Sequence, residues 1–576
     1  MIFKGNRLNI RIKRIELKNF KNIEFGAIDF PNSDEKDLYE GNPSILGLYG
    51  QNGSGKSSVI MALGILKNVL SGKKIGERYI SCIRTGCDCC TLSFTFSGFC
   101  EGQIEKTEQK ETWDLYYDFD LKKRVVNNYD DYGSSEETIK LVLENEVLKI
   151  RKTDPFGKII EQKRVLFDTR KSTCDNKQMV FGCNSFTYFL LTEGDDKIVD
   201  EYREAKIISK ENGTSFIFSD QFTEIPLKPF YSFKSSEEFL NYSNKMLRLI
   251  SQNMAGQINN DTVDSLEEKL MKGEQVLGDE TTNVLDKEYF NMFKDLSEKE
   301  RDNYYSAFMK SIILSAIFIL KDYGQKYLYV VDTITSGIIN INNRLPLLLW
   351  KRKNNDEDDV FIYKPSLSMD KPTNVLEEYY EDTKNAINAI SGVLNAIIPD
   401  LSLDIADYGI RILDDNKKEH RFEILSKRNN QAIPLKYESD GIRRIISILS
   451  LLIAVYNEES FTVAIDEIDS GIFEYLLGEM LLIMCEKPDS AKGQLIFTSH
   501  NLRPLEVLPT KYLCFTTTNL KNRYTTMSRR GNSNMRDTYF RKIKNNSINE
   551  KYSIYNFKKT DEIKKAFYKA GHHEEN

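Results

Sequence analysis

The chain has 576 residues, of which 40% are hydrophobic and 29% are charged, a composition typical of a folded protein with more than one domain. It holds no run of about 20 apolar residues, and its basic N-terminus lacks an apolar stretch, so we predict neither a transmembrane helix nor a signal peptide. A net charge of −6 excludes a generic polyanion binder. Only 9 cysteines in the chain exclude a disulfide-stapled secreted domain and favour the cytoplasm.

The first predicted element is a β-hairpin. Residues 8–30 alternate polar and apolar side chains in two runs around Lys18–Asn22, which predicts two strands with one buried face. An apolar segment, Ser44–Tyr49, then predicts a buried strand, and the apolar periodicity of Ser57–Leu70 predicts a helix.

A glycine-rich loop joins this strand to this helix and fits the pattern G-x-x-x-x-G-K-[ST]. Its residues are Gly50, Gln51, Asn52, Gly53, Ser54, Gly55, Lys56 and Ser57. The glycines let the backbone wrap around phosphate oxygens, and the loop amides and the helix N-terminus point at the anion. Lys56 would reach the β- and γ-phosphates, and the Ser57 hydroxyl would ligate Mg²⁺. We therefore predict an ATP and Mg²⁺ site, with Ser58 as a further contact.

Residues 78–170 alternate β-type runs with turn residues, which predicts an antiparallel β lobe over one side of the nucleotide core. Five cysteines lie in this segment: Cys82, Cys87, Cys89, Cys90 and Cys100. The spacing of Cys87–Cys90 does not fit a zinc knuckle, so buried or edge-strand thiols are favoured, with a metal site as the alternative. No element is predicted for residues 171–225.

Helical spacing dominates residues 234–400 without a sustained heptad, which predicts a helical insertion and dimerisation region rather than a long coiled coil. Strands return at 401–415 and 420–428. A short polar segment then precedes an apolar helix predicted over Ile445–Tyr456. Ser439 is a good N-cap and Gly441 permits close approach, so the segment is either a phosphate-binding signature or only a helix cap.

Two further apolar strands end in polar residues. Phe461–Glu467 ends in two acids, the Walker B arrangement, in which Asp466 would hold Mg²⁺ and Glu467 would polarise the attacking water. The strand that follows ends at His500, where a γ-phosphate sensor would sit, the alternative being a structural histidine.

The last part of the chain is basic. Lys521–Lys569 contains 14 Lys and Arg against 4 Asp and Glu, a local charge of +10, which leaves −16 for the remainder. Aromatic residues interleave with these charges: Tyr524, Tyr539, Phe540, Tyr552, Tyr555, Phe557, Phe567 and Tyr568. A nucleic-acid patch and an exposed helix that docks an acidic partner look alike in sequence. On the first interpretation, removing residues 521–576 weakens DNA binding and leaves the ATPase rate unchanged.

These motifs together resemble the ABC-type ATPase heads of the SMC/RecF group. The residues that carry the likeness are IELKNFKNI, ESDGIRR, AIDEIDSG and FTSHN, within residues 8–100 and 400–520. More narrowly, the chain is similar to bacterial ATPases of the overcoming-lysogenization-defect type and to ATPase subunits of the Septu, PARIS and retron-linked anti-phage systems. The resemblance implies an α/β fold, an ABC/SMC-type P-loop head with an antiparallel β lobe and a helical insertion.

The resemblance also implies roles in a dimer. In such families the signature serine binds the γ-phosphate of the nucleotide held by the partner subunit, so Ser439 and Gly441 would act in trans. Asp469 would be the D-loop acid at the dimer seam. The signature reads Ser-Asp-Gly rather than Ser-Gly-Gly, and Gly471–Glu474 lacks the usual Leu-His pair, so we expect slow hydrolysis.

Four regions follow from these assignments: 1–233 and 401–520 as the two halves of the ATPase head, 234–400 as the helical insertion, and 521–576 as a basic extension. We expect an ATPase that forms a homo-oligomer around ATP and gates a nuclease or toxin in anti-phage defence. The alternative is a RecF-like DNA repair or recombination ATPase, and the large insertion argues against a transporter subunit. No Asp-x-Asp follows His500, so no nuclease centre is predicted in this chain.

Overall fold

A computed structural model describes most of the two predicted halves of the head and part of the region between them. The described residues are 8–100, 111–129, 135–153, 159–171, 196–224, 313–331, 344–347, 349–351, 361–363, 366–413, 417–429, 431–486, 491–528, 534–544 and 567. Among them, no helix combines the length and the apolarity needed to cross a bilayer.

The strands are numbered in chain order. They are β1 Leu8–Phe20, β2 Ile23–Asp29, β3 Ser44–Tyr49, β4 Cys89–Cys100, β5 Glu111–Tyr129, β6 Ser135–Thr153, β7 Ile159–Asp168, β8 Leu328–Val331, β9 Arg344–Pro346, β10 Leu349–Lys351, β11 Phe361–Tyr363, β12 Ser366–Ser368, β13 Thr373–Leu376, β14 Ser402–Ile412, β15 Lys418–Arg428, β16 Gln431–Pro434, β17 Thr462–Ile465, β18 Gln494–Thr498, β19 Leu513–Thr516 and β20 Tyr524–Thr525.

The α-helices are numbered in the same way. They are α1 Glu35–Tyr39, α2 Lys56–Leu70, α3 Asp196–Asn212, α4 Asp220–Glu224, α5 Glu377–Ile397, α6 Asp440–Asn457, α7 Glu474–Ile483, α8 Arg503–Val507 and α9 Met535–Lys544. A further helical segment, 313–322, precedes β8.

A six-stranded sheet in the order β20-β19-β3-β18-β17-β8 forms the centre of the head. Neighbouring strands from β19 to β8 pair in parallel, and β20 pairs antiparallel with β19. Every residue of β3, β17 and β18 is buried, as expected for parallel strands covered on both faces. The strands predicted before the P-loop and at Walker B are confirmed, and their carboxyl ends meet at one edge of the sheet.

The predicted antiparallel lobe is confirmed, and the N-terminal hairpin is part of it. Its sheet has the order β2-β1-β4-β5-β6-β7, with Phe20 opposite Ile23 at the hairpin turn. Strand β5 continues without a break through Lys122 and Lys123. Both lysines pair with β6, so their charges lie along one continuous strand instead of in a turn.

The core sheet separates two apolar layers. On one side, α2 packs between the core sheet and the lobe, and its residues share a cluster with Leu46 and Leu48 of β3. On the other side, α6, α7 and α5 pack against Ile45 and Tyr49 of the same strand. The P-loop helix and the signature helix therefore lie on opposite faces of the sheet that carries Walker B.

Six strands, β8 to β13, lie within residues 234–400, where only helices were predicted. Leu328–Val331 forms β8, which pairs in parallel with β17 at the edge of the core sheet. A run of four apolar residues next to a helix is too short to show either the helical or the strand periodicity of apolar side chains. It becomes a strand because it pairs with the core sheet. Helix α5 agrees with the helical prediction. The part of that prediction that falls on residues 225–312 lies outside the described residues. The domain boundaries stay predictions.

The strands predicted at 401–415 and 420–428 are confirmed as β14 and β15, which form a four-stranded sheet with β13 and β16. The helix predicted to start at Ile445 begins five residues earlier, at Asp440, because Ser439 caps it. Helices α3 and α4 occupy part of the segment for which the sequence predicted no element.

Candidate active site

The P-loop needs its glycines for two physical reasons. Gly50, Gly53 and Gly55 have φ angles of 151°, 73° and 102°, a region that residues with a side chain rarely adopt. A Cβ on Gly50 would also lie 1.7 Å from Thr516 Oγ1 on the neighbouring strand. Gly55 is the residue just before α2, so the loop passes directly into the helix N-terminus, which favours an anion.

Lys56 lies under this loop with only 5% of its surface exposed. Its Nζ donates to the carbonyl oxygens of Gly50, at 2.8 Å, and of Gln51, at 3.1 Å. Burial lowers the pKa of Lys56, and the carboxylates of Walker B oppose that shift. The ammonium group thus has neutral carbonyl partners that phosphate oxygens would replace.

Asp466 joins the P-loop to the neighbouring strand. Ser57 Oγ donates to Asp466 Oδ1 at 3.0 Å, and Thr498 Oγ1 donates to the same atom at 2.6 Å. A hydroxyl and a carboxylate brought together in this way are the oxygen donors that Mg²⁺ takes in P-loop enzymes, so both residues predicted to bind metal fit the ion.

Glu467 adopts a left-handed backbone conformation, with a φ angle of 49°. For a residue with a side chain this costs about 1–3 kcal/mol, so the surroundings must impose it. Its backbone N–H donates to Thr498 Oγ1 at 2.8 Å, and its carbonyl accepts from the Ser470 N–H at 3.0 Å. The strained turn directs the chain from the strand end into the D-loop.

Arg444, on α6, holds the same turn from behind, and sequence reasoning did not select it. Its Nη2 donates to the carbonyl oxygens of Asp466, at 3.3 Å, and Glu467, at 3.2 Å, and the residue is 4% exposed. Burial lowers the pKa of the Arg444 guanidinium, and the nearby Glu467 carboxylate opposes that shift. The sequence places Arg444 at the end of the ESDGIRR segment, next to Arg443, where nothing in the pattern separates a buried arginine from an exposed one.

A cavity of about 380 Å³ opens at this edge of the sheet, within the size range of small-ligand sites. Its lining residues come from the P-loop, Walker B, the D-loop and the end of β18: Asn52, Gly53, Lys56, Ser57, Glu467, Asp469, Ser470 and His500. Asp469 Oδ2 accepts from the backbone N–H groups of His500, at 3.1 Å, and Asn501, at 3.0 Å. The D-loop acid therefore fixes the position of His500 within its own chain.

The remaining predicted P-loop residues, Gly50, Gln51, Ser54, Gly55 and Ser58, do not line this cavity. Ser54 Oγ hydrogen-bonds Thr516 Oγ1 at 2.5 Å, and Ser58 is buried in the first turn of α2. Their proposed contacts with nucleotide stay predictions.

Ser439 and Gly441 do not line the cavity. Ser439 Oγ accepts from the Ile442 N–H at 3.4 Å, so the serine caps α6 and remains exposed. Gly441 packs against Gly471 at the end of the D-loop, where a Cβ would lie 2.4 Å from the Gly471 carbonyl oxygen. Ser439 therefore caps α6, as its residue type predicted, and its phosphate-binding role in trans stays a prediction.

We expect Gly441→Ala to destabilise the protein by about 1–3 kcal/mol, because the added methyl group meets backbone that cannot swing away. Chemical denaturation measures the change. Gly392→Ala is the matched control, since Gly392 lies within α5 and nothing is within 4 Å of its added Cβ. The control should stabilise by up to about 1 kcal/mol through helix propensity, and equal effects of the two substitutions would contradict the assignment.

The start of the predicted basic extension, residues 521–576, packs against the P-loop and the N-terminal hairpin. Arg523 is 4% exposed and donates to the carbonyl oxygens of Thr517 and Asn22, each at 2.7 Å. Tyr524 Oη donates to the Gly55 carbonyl oxygen at 2.8 Å. Because β20 supports the P-loop, a deletion from residue 521 would disturb the ATPase as well.

Two of the interleaved aromatic residues cannot stack on bases. Tyr524 is 5% exposed, and Tyr539 is 8% exposed with its ring centroid 5.5 Å from that of Phe515. Sequence composition suggested an exposed surface, but long-range packing buries both rings, that of Tyr524 against Gly26 of the lobe and that of Tyr539 against Phe515 of the core sheet.

A P-loop, an acidic strand end bonded to the P-loop serine and a histidine just after the adjacent strand are the features of a P-loop ATPase site. The chain belongs to the AAA_15 family, described as an AAA ATPase domain, whose model matches residues 11–503. No curated protein matches the chain.

Solved structures of Smc head domains are similar to this chain. One is the Pyrococcus furiosus Smc head with an extended coiled coil bound to the C-terminal domain of ScpA, with 13% identity, a TM-score of 0.32, and 90% of this chain and 96% of that chain covered. Another is the Pyrococcus yayanosii Smc head with a coiled coil and joint, with 12% identity, a TM-score of 0.31, and 90% and 97% covered.

Proposed function

We propose that two copies of this chain close around ATP and Mg²⁺, hydrolyse the nucleotide slowly, and use that cycle to gate a nuclease or toxin during anti-phage defence in the cytoplasm. ATPase chemistry is the property of the family to which the chain belongs. The pairing, the metal, the rate and the effector are the proposed parts.

The pairing of two copies is supported by one observation: the P-loop cavity and the Ser439 segment, both proposed to bind phosphate, are at different places on one chain. The cavity is lined by P-loop residues, including Lys56 and Ser57, and by the candidate general base Glu467, and all of its lining residues come from motifs other than the signature. The exposed Ser439 begins an 18-residue helix whose N-terminus favours an anion. A second copy could present this element to the γ-phosphate, as the resemblance to SMC/RecF heads implies.

In the proposed reaction, Lys56 and the amides at the start of α2 hold the β- and γ-phosphates. Mg²⁺, held by Ser57 and Asp466, would neutralise phosphate charge. Glu467 accepts a proton from water as the new O–P bond forms and the bond to the ADP oxygen breaks. His500, at the cavity edge, would hydrogen-bond the γ-phosphate.

Effector gating rests on the resemblance to anti-phage ATPase subunits, and co-purification tests it. The Glu467→Gln protein is expressed with the products of its neighbouring genes and purified with and without ATP. A stoichiometric nuclease or toxin whose association depends on ATP would support the proposal. A protein that elutes alone and binds DNA ends only with ATP would favour the repair alternative.

The repair alternative makes a prediction about α9, where Arg541 and Lys542 are exposed. If the protein acts on DNA directly, the double substitution Arg541→Ala and Lys542→Ala should weaken DNA binding and reduce its salt dependence. Lys36→Ala, at an exposed lysine of α1, is the control. The effector-gating proposal predicts equal DNA binding by wild-type and both variants in a filter-binding assay.

A further inference from the structure

Arg444 contacts the Asp466–Glu467 turn through the backbone carbonyl oxygens of the turn and not through its side chains. Its two acceptors, at 3.3 and 3.2 Å, are the carbonyl oxygens of Asp466 and Glu467, the metal-binding residue and the candidate general base. Arg444 is 4% exposed and is not among the residues that line the cavity. Any effect on the reaction must pass through the position of that turn.

The turn needs such a restraint. Glu467 is held in a left-handed conformation that a residue with a side chain does not adopt by preference. Thr498 fixes its N–H, and Ser470 and Arg444 both donate to its carbonyl oxygen. Of these three donors, Thr498 belongs to the core sheet and Ser470 to the turn itself. Arg444 belongs to α6, which packs on one face of that sheet.

The first two turns of α6 touch the Walker B and D-loop segment at two places. Arg444 bonds the start of the segment, and Gly441 packs against Gly471 at its end with no room for a methyl group. Ser439, the cap of the same helix, is five residues before Arg444 and is exposed. A displacement of the helix N-terminus is therefore carried to both ends of the segment that holds Glu467.

We propose that Arg444 is a positioning residue, which holds the Glu467 carboxylate in its catalytic orientation and couples it to occupancy of the signature site. This inference rests on the proposed ATPase function and extends it. Phosphate bound at Ser439 would set the position of α6, and Arg444 would transmit that position to the general base. Nucleotide binding, which depends on the P-loop, is not affected.

The test compares buried arginines that share the same bonding pattern. Arg444→Met should lower kcat by about 10- to 100-fold, because small displacements of a catalytic group have effects of this size, and should leave KM for ATP unchanged. Arg444→Lys should recover part of kcat. Arg11→Met is the control, since Arg11 is 1% exposed and donates to three backbone carbonyl oxygens away from the cavity, those of Asn32, at 3.0 Å, Asn42, at 2.6 Å, and Lys492, at 2.5 Å.

A double-mutant cycle tests the coupling. If Arg444 acts through the signature site, Arg444→Met should reduce kcat far less in a Ser439→Ala background than in wild-type protein. Equal effects in both backgrounds would overturn the coupling, and a wild-type kcat in Arg444→Met would overturn the positioning role. If Arg444→Met does not fold, Arg444→Gln and Arg444→Lys take its place in the cycle.

Hydrogen exchange separates this inference from the ATPase proposal. Amides of residues 466–471 should exchange faster in Arg444→Met, and those of Arg11→Met should match wild type there, whether or not ATP is turned over. Wild-type protein that does not hydrolyse ATP would refute the proposed function alone. Unchanged exchange at 466–471 in Arg444→Met would refute the positioning role alone.

Discussion

Lys56→Ala should abolish ATP binding at micromolar nucleotide. The substitution removes the cation that lies under the P-loop and donates to the Gly50 and Gln51 carbonyl oxygens. Charge-assisted hydrogen bonds to phosphate contribute about 3 kcal/mol, so we expect ATP affinity to fall by roughly 150-fold or more. Titration calorimetry with ATP and Mg²⁺ measures the loss.

The control for this prediction lies on the same helix. Lys67 is near the end of α2, and its Nζ lies 4.4 Å from the centroid of the Tyr329 ring. Burial lowers its pKa to about 8, so it is also a lysine in an apolar setting, but it does not line the cavity. Lys67→Met should bind ATP as wild type does, and an equal loss in both variants would show that the effect is general to α2.

Glu467→Gln should stop hydrolysis while it preserves nucleotide binding. Glutamine keeps the shape of the side chain but cannot accept the proton of the attacking water, and a general base contributes about 100- to 10,000-fold to the rate. The loss of a negative charge beside the phosphates should leave ATP affinity equal or higher. Phosphate release under single-turnover conditions, together with calorimetry, separates the two effects.

Glu479→Gln provides the comparison for this second prediction. Glu479 is on α7, its carboxylate lies 3.7 Å from Arg503, and it does not line the cavity. Its substitution should leave hydrolysis within about twofold of wild type, since surface substitutions rarely change more than their own contacts. A wild-type rate in Glu467→Gln would show that another group activates the water.

The residues closest to the phosphates were the easiest to predict. The P-loop, Asp466, Glu467 and His500 each follow an apolar strand, and parallel strands of one sheet place their carboxyl ends together, so local sequence was enough to assemble them. Asp469 came from the resemblance to SMC/RecF heads, and the structure adds its bonds to the backbone of His500 and Asn501.

The residues that support the site from behind could not be predicted in this way. Arg444 and Arg523 are arginines, which are mostly exposed, and only the packing of distant segments shows that both are buried against backbone carbonyls. Strand β8 is four apolar residues beside a helix, and its identity depends on pairing with β17, more than 100 residues away. In each case the missing information is a long-range contact.

The most direct test of the account is the mass of the Glu467→Gln protein in solution with and without ATP and Mg²⁺, measured by light scattering on a gel-filtration column. A composite site predicts that the mass doubles when ATP is bound and that Ser439→Arg, which places a bulky side chain at the signature, returns it to the nucleotide-free value. A Glu467→Gln protein that binds ATP at the P-loop and keeps the same mass would contradict a site shared between two copies.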